Sequence, residues 1–150
     1  MLDIDNMKLV NDSMGHFVGD AMICEVGRRL ASAGKNITVY PLGGDEFAVI
    51  CARCSDSEML ATLAGQLLRQ MEQPFECDGN SIMLQITIGG VLSKMDGTSA
   101  DVLRQNADLA LYHAKQTARG EYIHFEPGLC TGLCPLPAGC LYSQRKGHRR

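Results

Sequence analysis

The sequence predicts an α/β fold, a sandwich with a largely antiparallel sheet and helices over its faces. Three observations lead there. Segments of strand period alternate along the chain with segments of helical period. Two short apolar runs meet at Gly43-Gly44-Asp45-Glu46, a hairpin signature because tight turns need positive φ. Finally, 150 residues with 45% apolar and 21% charged content suffice for one globular domain and not for two.

Residues 1–4 read as the last part of a strand whose beginning lies upstream. Over 17–32, Met22, Ile23, Val26 and Leu30 form one helical face, with Asp20 as the expected N-cap and Gly34 as the stop. The runs 37–42 and 47–51 are the hairpin strands. Ser55-Asp56-Ser57-Glu58 is a capping box opening a helix with Met59, Leu60, Leu63, Leu67, Leu68 and Met71 inward, ended before Pro74. Two strands follow around Asp78-Gly79-Asn80, at 75–77 and 82–92, the second burying one face through Leu84, Ile86 and Ile88. A helix over 99–118 turns Val102, Leu103, Ala107, Ala110, Leu111 and Ala114 inward. A last strand occupies 121–125, and Pro127-Gly128 ends the ordered pattern.

The formal charge of −3 argues against a nucleic-acid binder that relies on a basic field. That average hides a split. Residues 1–128 carry 17 acids and ten bases, a net of −7, whereas residues 129–150 carry four bases and no acid. Three of the seven cysteines, Cys130, Cys134 and Cys140, also lie in that tail. An odd cysteine count and acids where a signal peptide would be apolar predict a reduced, cytoplasmic setting. No stretch reaches the ~18 apolar residues of a membrane span.

Asp3 and Asp5 stand two apart at a strand end, so both face one way if the strand continues. If it stops at Ile4, only Asp3 is a firm candidate. The hairpin turn adds Asp45 and Glu46. Carboxylates without histidine describe a hard oxygen site suited to Mg²⁺. Two solvated carboxylate pairs are an equal reading of these residues alone. Gly43-Gly44 permits close approach of backbone to a phosphate, though most double glycines serve only the turn. Lys115 and Arg119, four apart on the last helix's final turn, have the charge to clamp phosphates, yet cations at a helix C-terminus are favoured by its dipole alone, and spacing prefers that reading.

Together these pieces resemble a family. Gly43-Gly44-Asp45-Glu46-Phe47 is the signature of the GGDEF domain of diguanylate cyclases, a string expected by chance about once in 10⁴ chains of this length. Asp3-Ile4-Asp5-Asn6-Met7-Lys8 resembles its D-x-D-x-F-K segment. Asn11-Asp12-x-x-Gly15-His16-x-x-Gly19-Asp20 is similar to its N-D-x-x-G-H-x-x-G-D segment. Thr87-Ile88-Gly89 resembles its S-I-G strand, and residues 107–115 its A-D-x-A-L-Y-x-A-K helix. The resemblance covers residues 1–127 and leaves 128–150 as a disordered basic tail.

The resemblance implies a palm-like fold, similar to nucleotidyl cyclases and polymerases, that joins two GTP into cyclic di-GMP with loss of pyrophosphate. It implies Mg²⁺ (or Mn²⁺) held by Asp3, the Ile4 carbonyl and Asp45, with Glu46 beside or on the metal. Asn11 and Asp20 would bond the guanine edge, and His16, Gly43 and Gly44 belong to the GTP-binding segments. Lys8 and the backbone of Asn6 and Met7 would meet phosphates, with Lys115 and Arg119 on the terminal ones. One domain binds one GTP, so a two-fold homodimer is implied. Asp45 is the expected aid to deprotonation.

Three departures qualify this. The family domain opens upstream with a helix and a D-x-L-T-G-L-x-N-R segment, so this chain is expected to lack its start, with an exposed sheet edge and weakened stability or activity. The product-inhibition R-x-x-D of many members falls on Gly34 and Ile37, so no such site is expected. The tail resembles no helix leading to a sensory or phosphodiesterase domain, with which relatives are often joined. Cys130, Cys134, Cys140 and His148 fit no common zinc spacing, and a redox role for Cys51-x-x-Cys54 ranks lower still. The alternatives are a non-catalytic GTP-binding regulatory module and an inactive fragment.

Overall fold

The computed structural model describes residues 1–97 and 99–131. The predicted tail beyond 131, and with it the Cys134, Cys140 and His148 pattern, lies outside the described residues. Among the described residues the strands are β1 (Leu2–Ile4), β2 (Ile37–Gly43), β3 (Glu46–Cys51), β4 (Phe75–Cys77), β5 (Asn80–Ile82), β6 (Ile86–Gly90) and β7 (Tyr122–His124). The α-helices described between them are α1 (Met7–Met14), α2 (His16–Ser32), α3 (Ser57–Met71) and α4 (Ala100–Thr117). The main sheet runs β2-β3-β1-β6-β7, antiparallel except for the β6–β7 pair, and β4-β5 forms a small separate ribbon.

Short β1 is central, not an edge: Leu2 pairs with Phe47 on one side and Ile88 on the other. Its apolar residues Leu2 and Ile4 join Val18, Met22, Val26 and Leu30 of α2 and Leu67 and Met71 of α3 in the main core. On the opposite face α4 lies against β6 at backbone distance. A Cβ on Gly89 would come within 2.2 Å of the Leu111 amide nitrogen and 2.5 Å of the Ala107 carbonyl oxygen, so only glycine fits there.

Several expectations need correction. Residues 7–14 carry no predicted element, yet they form α1. Gly15, at φ 87°, breaks the chain between α1 and α2, and Asp20 therefore sits inside α2 instead of capping it. The cap of α3 is Asp56 and not Ser55. The Asp56 carboxylate accepts from the Met59 amide at 2.8 Å and from the Ser55 hydroxyl at 3.0 Å, and Met59 stays exposed. The predicted strand 82–92 is split, because Ile82 pairs in the ribbon while Ile86–Gly90 enter the main sheet. Helices cover both sides of β6, so Thr87 is fully buried rather than facing solvent. Val102 and Leu103 are half-buried. Finally, Pro127–Thr131 forms a 3-10 turn where the ordered pattern was expected to end, and Leu129 packs beside Phe125, Leu109 and Ala110.

Candidate active site

The site gathers where β1 ends. Asp3 points to the α4 side and forms an ion pair with Lys115, in the last turn of that helix. The pair consumes one carboxylate oxygen, Oδ2. The other, Oδ1, is buried without any hydrogen-bond partner. Burial pushes the Asp3 carboxyl up, Lys115 pulls it down, and Asp45 and Asp5 push it up again. An acceptor stripped of water and left unpaired costs about 1–3 kcal/mol, so this oxygen is waiting for a donor or a cation.

The hairpin delivers the second carboxylate. Gly43 and Gly44 adopt φ 135° and 59°, which other residues resist, and a Cβ on either would meet open space. The turn accounts for both glycines. It is latched to β1 by the Ile4 amide, which donates to the Asp45 carbonyl at 3.1 Å. Glu46 sits directly opposite Asp3 across the β1–β3 pairing and is exposed.

Beyond Ile4 the strand stops, and Asp5 parts company with Asp3. Its buried carboxylate accepts from the Thr87 hydroxyl at 2.7 Å, and that hydroxyl accepts from the Gly120 amide at 3.0 Å. Asp5 is thus a structural tie from β1 through β6 to the segment after α4. Asn6 then takes the left-handed conformation, φ 63°, and starts α1 with no side-chain cap and no acid in its first turn. The first amides of a helix lack helical acceptors and carry its positive dipole end, a ready anion site.

A hollow of about 480 Å³ unites these parts: Asp3, Ile4 and Asp45, the α1 start at Asn6, Met7 and Lys8, and the cations Lys115 and Arg119. Arg119 reaches it differently than expected. The helix ends at Thr117 because Ala118 leaves helical φ/ψ (−154°, 61°), so Arg119 is not on the final turn. Its Nε donates to the Lys115 carbonyl at 3.2 Å, and both side chains still border the hollow. Glu46 borders a neighbouring hollow of about 490 Å³, with Asp3 and Lys115 as the shared wall.

Other expected residues are not brought to these hollows. Asn11 lies on α1 with its side chain against Gly19, where a Cβ would fall 2.0 Å from Oδ1; glycine there lets Asn11 settle. His16 and Asp20 are exposed on the first turns of α2. Gly43 and Gly44 line neither hollow. Sequence reasoning missed Asp12, which borders the first hollow, and the Thr87 tie; burial of Thr87 on a strand covered twice carries no period-two signal.

Among the described residues no three His, Cys, Asp or Glu side chains converge into a ready metal cluster. Mg²⁺ does not need one. It is commonly held by one or two carboxylates and completes its shell with phosphate and water. An orphaned Asp3 oxygen, with Asp45 near enough to be felt electrostatically, fits that ion.

Comparison with known proteins agrees with the geometry. The family described as diguanylate cyclase, GGDEF domain, matches residues 1–121. The bifunctional diguanylate cyclase/cyclic di-GMP phosphodiesterase MucR of Pseudomonas aeruginosa is 36% identical over 129 residues, 85% of this chain and 19% of that protein. The diguanylate cyclase TpbB of the same species is 32% identical over 121 residues, 79% of this chain and 28% of TpbB. The solved GGDEF domain of TpbB superposes with a TM-score of 0.83 at 30% identity, covering 87% of this chain and 77% of that one. The chain thus spans less than a third of either curated relative.

Proposed function

The chain belongs to the GGDEF family, and from that premise we propose that it is the catalytic domain of a diguanylate cyclase, condensing two GTP into cyclic di-GMP with release of pyrophosphate. The observation that carries this reading is the buried, half-unpaired Asp3 carboxylate set among Lys115, Asp45 and the uncapped start of α1. In this reading Asp3, the Ile4 carbonyl and Asp45 hold Mg²⁺ (or Mn²⁺), with Glu46 beside it. The bound ion supplies polarisation of the α-phosphoryl group and lowers the proton affinity of the 3′-hydroxyl.

The chain's own groups do the rest, which is positioning and charge neutralisation. The amides at Asn6 and Met7 and the Lys8 ammonium hold phosphates, and Lys115 and Arg119 take the terminal ones. Gly43 and Gly44 keep the hairpin backbone clear of the nucleotide. Asn11 and Asp20 read the guanine edge, with His16 next to them on α2; a purine that leaves such bonds unmade is rejected. Asp45 accepts the proton of the attacking hydroxyl. Because one domain holds one GTP, two copies face each other about a two-fold axis.

The test is incubation of the protein with GTP and Mg²⁺, with chromatography for cyclic di-GMP, beside Asp45→Ala. Product from the wild type and at least about a hundredfold less from the variant supports the reading. GTP binding without any product overturns it in favour of a regulatory module.

A further inference from the structure

Away from the site, a hollow of about 460 Å³ opens between the end of α2, the start of β2, the end of β3 and the first turns of α3. Cys51 and Cys54 both line it, with Met59 and Leu63 on the α3 side. The alternation that turns Phe47 and Val49 toward the core turns Cys51 the same way. Ala52 and Arg53 then form a turn that returns Cys54 to the same hollow. Such a turn brings its first and last Cα within about 7 Å, and a disulfide spans about 4.4–6.8 Å. Both cysteines are free and half-buried, so a small reagent can reach them.

We propose that Cys51 and Cys54 are a dithiol–disulfide pair, a modification site whose oxidant is a small-molecule disulfide. In the first step a cysteine thiolate attacks one sulfur of that disulfide, breaking its S–S bond, forming a mixed disulfide and expelling one small thiolate. The second cysteine's thiolate then attacks the protein sulfur of the mixed disulfide, closing the Cys51–Cys54 bond and expelling the second small thiolate. Two electrons pass from the cysteines to the oxidant, and the two thiol protons end on the released thiols.

Burial pushes the Cys54 thiol up to about 11, and Cys51 and Asp56 push it the same way. Lys35 and Arg53 line the hollow together with the acids Asp56 and Glu58. An anionic disulfide therefore meets cations as well as acids. Once closed, the bond ties the end of β3 to the cap of α3 at Asp56. The site stands apart from the cyclase reading, and its test reads no turnover.

The test uses the whole protein and oxidised glutathione, with free thiols alkylated before trypsin digestion without reductant. Cleavage after Lys35, Arg53 and Arg69 separates residues 36–53 from 54–69, and only the proposed bond keeps those two peptides joined. The joined peptide should dominate in the native protein, at least about tenfold over urea-unfolded protein at the same glutathione ratio. Cys51→Ser should abolish it. Free thiols or glutathione adducts alone at these positions in the native protein, or equal joining in the native and unfolded protein, would overturn the proposal.

Discussion

Replacing Thr87 by valine removes one oxygen and keeps the shape, and the fold makes that oxygen costly to lose. The Thr87 hydroxyl is fully buried, donates to Asp5 at 2.7 Å and accepts from the Gly120 amide at 3.0 Å. A hydrogen bond to a charged group contributes about 1.5–3 kcal/mol, and the half-buried Gly120 amide, left unpaired, costs about 1 kcal/mol, the low end for such a group. Valine adds a methyl group worth at most about 1 kcal/mol of burial. We therefore expect Thr87→Val to lose about 3 kcal/mol of stability. Thr87→Ser keeps the hydroxyl and should lose only about 1 kcal/mol, for its missing methyl. The chain has no tryptophan, so urea unfolding is best followed by far-ultraviolet circular dichroism. If Thr87→Val falls within about 1 kcal/mol of the wild type, or Thr87→Ser is equally damaged, the tie between β1 and the segment after α4 does not carry the load assigned to it.

Three further outcomes follow from the same reasoning. Buried Arg29 bonds Glu25 at 2.7 Å and the carbonyls of Gln70, Gln73 and Pro74, so Arg29→Leu should cost about 2–4 kcal/mol in urea denaturation, and a loss below about 1 kcal/mol would refute the clamp. Arg28 and Arg29 hold the Glu25 carboxyl down to about 2, below its unfolded value of 4.5, so its contribution is full above pH 4.5 and is lost as pH falls toward 2. The stability gap between wild type and Glu25→Gln, measured by thermal unfolding across that window, should narrow with acid; a constant gap would contradict the assignment. Because Gly34 and Ile37 offer no charge, the proposed cyclase activity should keep its initial rate when cyclic di-GMP is added below the concentrations at which it competes with GTP, and non-competitive inhibition would show a product site elsewhere.

What the sequence made legible was whatever depends on local chemistry. Gly43 and Gly44 announce the hairpin because the positive φ they adopt belongs to glycine. The inward leucines of α3 and alanines of α4 announce helices through their spacing. The misses share a different cause, which is dependence on distant partners. Residues 82–92 read as one strand because alternation continues through them, whereas pairing sends Ile82 to β4 and Ile86 to β1. α1 is short, and what separates it from α2 is the backbone at Gly15. Arg29 is charged in sequence and buried in the fold because three carbonyls from 41 to 45 residues away converge on it. Within the site, the sequence offers both Asp3 and Lys115 as candidates, but their ion pair spans 112 positions and depends on the close approach of α4 at Gly89.

The centrality of β1 has a consequence for how the site comes into being. Three residues, Leu2 to Ile4, bridge a hairpin strand 43 to 45 residues downstream and a strand 82 to 86 residues downstream. Neither partner is local, so loop closure on both sides precedes the reward of pairing, and such contacts form late in folding. The helices and the β2–β3 hairpin need only nearby chain and can persist in a partly opened molecule. Asp3, the latch from Ile4 to Asp45 and the Asp5 tie cannot. The candidate site is therefore completed only when these distant pairings close, and a half-folded chain does not present it.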